Sequence, residues 1–295
     1  MFSIIIPSYN RKIDLLVCLK NLNKQTYSNF EVIVVDDNSE IPISTYIDDQ
    51  SYRFDLVVVR NKINVGAAGS RNKGVEISRF DWIMFLDDDD VFLNNKCEIL
   101  KTYIEAFDVK FYYHPAFINM LFEGVSYKTN PEKKPSSISN ASMLRSNPIG
   151  GTPMWCISKE LFLELGGFNN SLKALEDYEF ILRMLKHIKK TDLFYINTPL
   201  TQCNYLTKRS SVSKDIKNTK EALNYFEREF YSGYKLTFKR YSNEHMAHSH
   251  LMLLSRVASL YYLKSSLYSM DITLLIKSIL TFISPTMSIK LRKYI

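Results

Sequence analysis

Four consecutive carboxylates, Asp87 to Asp90, follow the apolar run Trp82-Ile83-Met84-Phe85-Leu86 in a chain whose net charge is +7. Like charges packed so closely repel at neutral pH and call for a positive partner, either basic side chains or a divalent cation. Four chemistries compete for them. A calcium loop would have Glu98 at its twelfth position, but Val91 and Phe92 stand at the fifth and sixth, where such a loop needs a ligand and a glycine. A solvated acidic turn is the plain reading of a charge run. A divalent metal held by one or two carboxylates and completed by water and substrate phosphate is the third. The fourth is a pair of acids hydrolysing a glycoside, for which Asp177 would be the facing partner.

Other positions carry groups suited to recognition. Asp37 ends the run Val34-Val35-Asp36-Asp37 and could accept from an imino N–H, which uracil has at N3 and adenine lacks; its alternative is an aspartate capping the next turn. Arg71 offers a planar fork to a base or a phosphate, or is a surface arginine. Glu176 and Asp177 open a stretch with Tyr178, Ile181, Leu182 and Leu185 on one face, where acids also stabilise a helix start by about 0.3–1 kcal/mol.

The elements that must position these groups are legible. Ser3 to Ile6, Phe30 to Val35, 55 to 60 and 82 to 86 are short, almost wholly apolar strands, and Leu15, Cys18, Leu19 and Leu22 mark a helix between the first two. Such strands alternating with helices predict an α/β fold, a mostly parallel sheet covered on both faces. Ligands then bind beyond the carboxyl ends of the strands, which gathers Ser8-Tyr9-Asn10, Asp36-Asp37 and the Asp87 cluster along one rim and disfavours the solvated turn. Residues 126 to 148 read as a long loop, 158 to 165 as a short helix stopped by Gly166-Gly167, and the chain beyond about 215 as mainly helical. The helix at 271 to 283 has about a dozen apolar-dominated residues, short of the roughly 20 that span a bilayer.

Composition narrows the class. Residues 201 to 295 hold fifteen Lys/Arg against six Asp/Glu, so the basicity belongs to the last third. No nucleic-acid motif accompanies it, and an anionic membrane surface or substrate fits better. The cysteines, Cys18, Cys97, Cys156 and Cys203, are scattered and form no CxxC pair, so neither a zinc site nor a disulfide framework is indicated, which suits a reducing cytosol. MFSIIIPSYNR has too short an apolar stretch for a signal-peptide core. A cytoplasmic location is expected.

Taken together, PSYNR at 7 to 11, VVDDNS at 34 to 39, NVGAAGSRNKG at 64 to 74, FLDDDD at 85 to 90, LGGFN at 165 to 169 and LEDYEFILR at 175 to 183 resemble the inverting glycosyltransferases of family 2. The resemblance covers roughly residues 1 to 210. It implies a GT-A fold, Rossmann-like, with a nucleotide-binding half to about 110, an acceptor half from about 111 to 210, and a helical, basic, aromatic-rich extension from 211 to 295. By the resemblance, Pro7, Ser8, Tyr9 and Asn10 line the nucleotide pocket, Asp37 and Arg71 lie at the base, Asp87 lies near ribose, and Asp89 is the ligand of Mn²⁺ or Mg²⁺. Asp88 belongs to the same nucleotide-binding set as its least constrained member, since the family tolerates many residues there, and Asp90 completes the motif. Asp177 becomes the base, with Glu176 beside it; Gly150, Gly151 and Thr152 approach acceptor and donor sugar; and Lys208 and Arg209, after Tyr205, close over the diphosphate.

The implied reaction moves a hexose or N-acetylhexosamine from a UDP-sugar to a glycan hydroxyl with inversion, in the building of bacterial surface polysaccharide. The acceptor is expected to be linked to a polyprenyl diphosphate at the inner face of the membrane, with peripheral contact through the C-terminal region. A soluble helical cap or a dimerisation element is the alternative for that region. A non-catalytic glycan-binding or scaffolding homologue is the alternative for the whole, disfavoured by the presence of both acidic motifs. A sugar-nucleotide pyrophosphorylase would need a glycine-rich phosphate loop where Pro7-Ser8-Tyr9-Asn10 stands.

Overall fold

The computed structural model describes residues 1–47, 52–144, 147–207 and 215–291. The chain runs β1 (Phe2–Ser8), α1 (Lys12–Leu22), β2 (Phe30–Asp36), β3 (Asp55–Arg60), α2 (Gly66–Ile77), β4 (Trp82–Phe85), β5 (Val91–Phe92), α3 (Lys96–Ala106), β6 (Phe111–Tyr113), β7 (Ala116–Met120) and β8 (Val125–Lys128). It continues with α4 (Asn140–Met143), β9 (Trp155–Ser158), α5 (Lys159–Glu164), α6 (Glu176–His187), β10 (Leu193–Tyr195) and β11 (Thr201–Tyr205), then α7 (Ile216–Glu229), α8 (Lys235–Met252), α9 (Val257–Ser269), α10 (Ile272–Ile283) and α11 (Pro285–Lys290).

The central sheet has the order β10-β6-β9-β4-β1-β2-β3. Its β1, β2, β3 and β4 are parallel, and only β9 runs against its neighbours β4 and β6. Both faces are covered, so the strands need no polar alternation. Ile5, Ile33, Val35, Ile83 and Phe85 point into one core, shared with α2, α5, α6, α7 and α8. Phe2, Ile4, Ile6, Val32, Val34 and Met84 point into the other, shared with α1 and α3. This is the GT-A arrangement expected from the sequence, with helices on both faces and a helical C-terminal extension.

Helix α2 lies unusually close to the sheet. A Cβ on Gly74 would stand 2.3 Å from Ile5 Cγ2, so only glycine lets the helix settle there. Arg71 is one turn earlier on the same helix, and its position over the rim depends on that approach.

A second sheet, β5-β11-β7-β8, was not anticipated. It begins immediately after the Asp cluster, since β5 is Val91–Phe92 and pairs antiparallel with β11. The segment 126 to 148 is therefore not one loop. It opens with β8, antiparallel to β7, and later forms α4, whose Ser139 and Ser142 make a reciprocal capping box. Four-residue elements are too short to leave a periodic signature.

The helices after residue 215 are continuous with the main core. Ala222, Leu223, Phe226, Phe238 and Tyr241 are buried in the same core cluster as Tyr178 and Phe180 of α6. Tyr178 meets Phe226 at 5.4 Å and Tyr241 at 5.3 Å between ring centroids.

Candidate active site

The positive partner demanded by the four aspartates is supplied by two arginines. Arg11 Nη1 donates to Asp88 Oδ1 at 2.9 Å and to Asp89 Oδ2 at 2.8 Å. Arg71 spans the cleft, with Nη2 at 2.6 Å from Asp87 Oδ1 and Nη1 at 2.8 Å from Glu176 Oε1. Its guanidinium is buried, and the two carboxylates keep it firmly charged against the desolvation penalty. One side chain thus ties the acidic rim after β4 to the acidic start of α6.

Asp88 is far from the free position expected of it. It is buried, accepts from Ser8 Oγ at 2.7 Å as well as from Arg11, and burial pushes its pKa to about 6 despite those donors. Asp90 faces backward. Its carboxylate accepts from the Asn204 N–H at 2.9 Å, while Asn204 Nδ2 donates to the Asp89 carbonyl at 2.8 Å, so β11 braces the cluster from behind. Burial, then the neighbouring Asp87 and Asp89, hold its pKa well above the usual carboxylate range.

Asp37 is occupied by backbone. Its Oδ1 accepts from Val65 N–H and Asn61 Nδ2, both at 2.9 Å, and its Oδ2 accepts from Gly66 N–H at 2.8 Å. That is the turn-capping arrangement left open by the sequence, and it fixes the start of α2 with a carboxylate at the helix's positive end. Pro7 and Ser8 close β1, Tyr9 is exposed, and Asn10 turns the chain at φ 55°, where asparagine is tolerated. Asn10 Oδ1 accepts from the Glu40 N–H at 2.8 Å, joining the two rim loops. Lys208 and Arg209 lie outside the described residues.

Glu176 and Asp177 begin α6 directly after Leu175, whose φ of 59° is left-handed. Such a backbone costs about 1–2 kcal/mol for a non-glycine residue and is held at sites where the surroundings enforce it. Asp177 Oδ1 accepts from the Tyr178 N–H at 2.8 Å. Its other oxygen faces Gly151, since a Cβ built there would lie 3.5 Å from Asp177 Oδ2. Although part of its surface remains accessible, desolvation in this recess and the charge of Glu176 push its pKa up to about 7. A carboxylate poised there suits general-base work.

The LGGFN stretch acquires a role as well. Asn72 Nδ2 donates to the Phe168 carbonyl and Asn72 Oδ1 accepts from the Phe168 N–H, both at 2.8 Å. Arg183 of α6 in turn holds the Gly167 carbonyl at 2.6 Å and Glu179 at 2.7 Å. The turn therefore clips α2 to α6 and sets the span that Arg71 bridges.

A resident divalent cation can be tested against the donors present. Among the described residues no group of three or more His, Cys, Asp or Glu side chains could cage a metal. The rim instead offers hard carboxylate oxygens, with Asp89 26% exposed. That fits Mg²⁺ or Mn²⁺ held by one or two carboxylates, with the shell completed by water and phosphate. Arg11 would have to yield or share Asp89.

The sequence reading missed Arg11, Asn204 and Lys96. Arg11 stood in the quoted PSYNR motif, and the repulsion argument already called for a cation; nothing local signalled the other two. Lys96 is fully buried beneath the rim, where Nζ donates to the Pro153 carbonyl at 2.7 Å and to Thr201 Oγ1 at 3.0 Å and sits 3.6 Å from the centroid of the Phe92 ring. Desolvation lowers its pKa to about 7. Unfolded lysine titrates near about 10.4, so between these values the unfolded chain binds more protons and stability rises with pH. Relative to Lys96→Met, the parent is expected to gain about 2 kcal/mol from pH 7 to pH 9, read from urea unfolding of both chains. Equal pH dependence of the two would contradict a depressed Lys96.

Comparison with known proteins follows the geometry. Residues 3–166 match the model of Glycosyl transferase family 2. The chain belongs to that family. An uncharacterized glycosyltransferase of Haemophilus influenzae is 42% identical over 296 residues, covering 99% of each chain. The UDP-Glc:alpha-D-GlcNAc-diphosphoundecaprenol beta-1,3-glucosyltransferase WfgD of Escherichia coli is 27% identical over 73% of this chain and 80% of its own length. Among solved structures, S. aureus TarS 1-349 in complex with UDP-GlcNAc superposes with a TM-score of 0.62 at 14% identity, covering 99% of this chain and 92% of that one; the likeness is one of fold. The family 2 glycosyltransferase fold thus brings the acidic rim after β4 and the acidic start of α6 together, with Arg71 joining the two.

Proposed function

We propose that this glycosyltransferase moves a hexose or N-acetylhexosamine from a UDP-sugar to a hydroxyl of a polyprenyl-diphosphate-linked glycan, with inversion, in bacterial surface-polysaccharide synthesis on the cytoplasmic face of the membrane. The observation that carries the reading is the pairing of Asp177 with Gly151 in a cleft whose other wall is the Asp87–Asp90 rim. The glycine puts no side-chain atom beside Asp177 Oδ2, on the side from which an acceptor hydroxyl would approach in this reading.

Asp177 takes the proton of that hydroxyl as its oxygen attacks the anomeric carbon. The new glycosidic C–O bond forms as the bond to the diphosphate breaks on the opposite face, so an α-linked donor yields a β-glycoside. Glu176, held by Arg71, keeps the start of α6 fixed and biases Asp177 toward binding a proton. Pro7 to Asn10, Arg71 and Asp87 face the nucleotide in this reading, Asp37 fixes the turn into α2 beside them, and Asp88 holds Ser8 and Arg11 in place behind. Mn²⁺ or Mg²⁺, carried by Asp89, would neutralise charge building on the departing diphosphate. The donor and acceptor classes draw support from WfgD, whose name gives UDP-Glc and a diphosphoundecaprenol-linked GlcNAc, and from TarS, solved with UDP-GlcNAc.

The test is UDP release from a panel of UDP-sugars with Mn²⁺ and a synthetic lipid-diphosphate-sugar acceptor. Acceptor-dependent UDP with one donor supports the reading; free sugar alone, or no UDP from any donor, overturns it. In calorimetric titration, Asp89→Asn is expected to weaken Mn²⁺-dependent UDP binding by about tenfold or more. An unchanged affinity removes Asp89 from the metal site.

A further inference from the structure

The outermost helix pair is built inside out. Helix α9 turns Ala258, Ser259, Ser265 and Ser266 inward, and α10 turns Leu274, Ser278 and Thr281 inward. Small polar groups hold these inner faces: Ser278 Oγ of α10 donates to the Ser259 carbonyl of α9, and Thr281 Oγ1 of α10 donates to Ser288 Oγ of α11, both at 2.8 Å. Solvent receives what a helix of a soluble protein hides. Leu260, Leu267, Ile272, Ile276, Ile279 and Phe282 are between 43% and 72% exposed. Leu260 and Leu267 lie two turns apart on α9, and Ile272, Ile276, Ile279 and Phe282 recur at spacings of three and four on α10, so each set falls in a stripe. A contiguous apolar surface of this kind marks a docking site rather than ordinary scatter.

Charge indicates the occupant. From residue 256 to 293 the sequence holds six Lys/Arg and a single acid, Asp271. That acid is engaged by Arg240 at 3.3 Å and by the Thr273 hydroxyl at 2.6 Å. Arg256 and Lys264 lie beside the exposed leucines on α9, and Lys290 is exposed on α11. Two copies pressed together through this face would bring like charges into register, which opposes self-association. An anionic bilayer complements both features, with headgroup phosphate for the cations and the acyl boundary for Ile, Leu and Phe. No helix among the described residues is long and apolar enough to cross a membrane.

We infer that α9 and α10 form the surface by which the chain lies on an anionic lipid bilayer, parallel to its plane. The inference deepens the reading of a lipid-linked acceptor by naming how the protein meets the membrane, and it stands on residues outside the Asp177 cleft.

Flotation of the intact chain with vesicles, in the absence of donor and acceptor, is the test. The protein is expected to float with phosphatidylcholine–phosphatidylglycerol vesicles, to stay behind with phosphatidylcholine alone, and to detach as salt is raised. Ile276→Glu combined with Phe282→Glu should weaken flotation by about tenfold or more while leaving transfer to a water-soluble acceptor intact. Lys264→Glu with Lys290→Glu, which spares the apolar stripes, should weaken it too. The inference fails if the intact chain does not float on anionic vesicles, if both double variants float like the parent, or if light scattering reveals a dimer that the Ile276/Phe282 pair dissolves. Because flotation needs no turnover, its loss leaves the proposed transfer standing, and a failure of transfer leaves the docking face standing.

Discussion

Asp177→Asn is expected to lower kcat for sugar transfer by about 10²- to 10⁴-fold while UDP affinity changes by less than about twofold. The amide keeps the shape of the side chain and its bond from the Tyr178 N–H, but it cannot take the hydroxyl proton. Calorimetry with UDP and turnover with donor and acceptor separate the two quantities, and a parallel collapse of both would show Asp177 to be structural. With its pKa raised to about 7, Asp177 must be ionised to act, so the parent's rate should climb as pH rises through that value. Stability moves the other way. An unfolded aspartate releases its proton near about 3.9, so between there and about 7 the folded chain binds more protons and loses stability as pH rises. At pH 8 the asparagine variant should therefore be the more stable protein, by about 1–3 kcal/mol after discounting for the accessible part of the side chain. A chain that becomes firmer when its base is removed is holding that base against its own folding preference.

Arg71→Met should be the most damaging single change to the fold at the site. It removes one cation from between Asp87 and Glu176, leaving both carboxylates facing Asp177 with no guanidinium to join them. Loss of one partner from a buried ion pair costs about 3–5 kcal/mol; the exposed side of Asp87 puts the expectation near about 3. Arg71→Lys should recover little, because a point charge cannot reach two carboxylates on opposite walls. A urea midpoint unchanged in Arg71→Met would show the bridge to be dispensable.

How much of this was legible depended on whether the cause was local. The strands Phe2–Ser8 and Phe30–Asp36 declared themselves because burial on both faces writes an unbroken apolar run. Glu176 and Asp177 were readable as the opening of a helix, because a helix start has its own acidic signature and α6 begins there. Asp88 misled because its constraint is tertiary: Ser8, 80 positions away, and Arg11, 77 away, meet it only after β1 and β4 pair. Asp37 left two options standing, and the distance to Val65 and Gly66 decided that its carboxylate caps α2. Asn204 and Lys96 were silent for the same reason, since neither sits in a pattern and each acts through groups about a hundred residues away. The second sheet escaped notice because its strands are short and its partners distant.

The packing of Tyr178 on Phe226 and Tyr241 ties the start of α6, with the proposed base Asp177, directly to α7 and α8, whereas Asp87 to Asp90 follow a strand of the central sheet. Local opening proceeds by such units. Loosening the C-terminal helices is therefore expected to free the start of α6, and with it the proposed base, before the Asp87–Asp90 rim. Hydrogen exchange along α6 should follow that of α8 rather than that of β1, so the last third of the chain keeps watch over chemistry encoded in the first two.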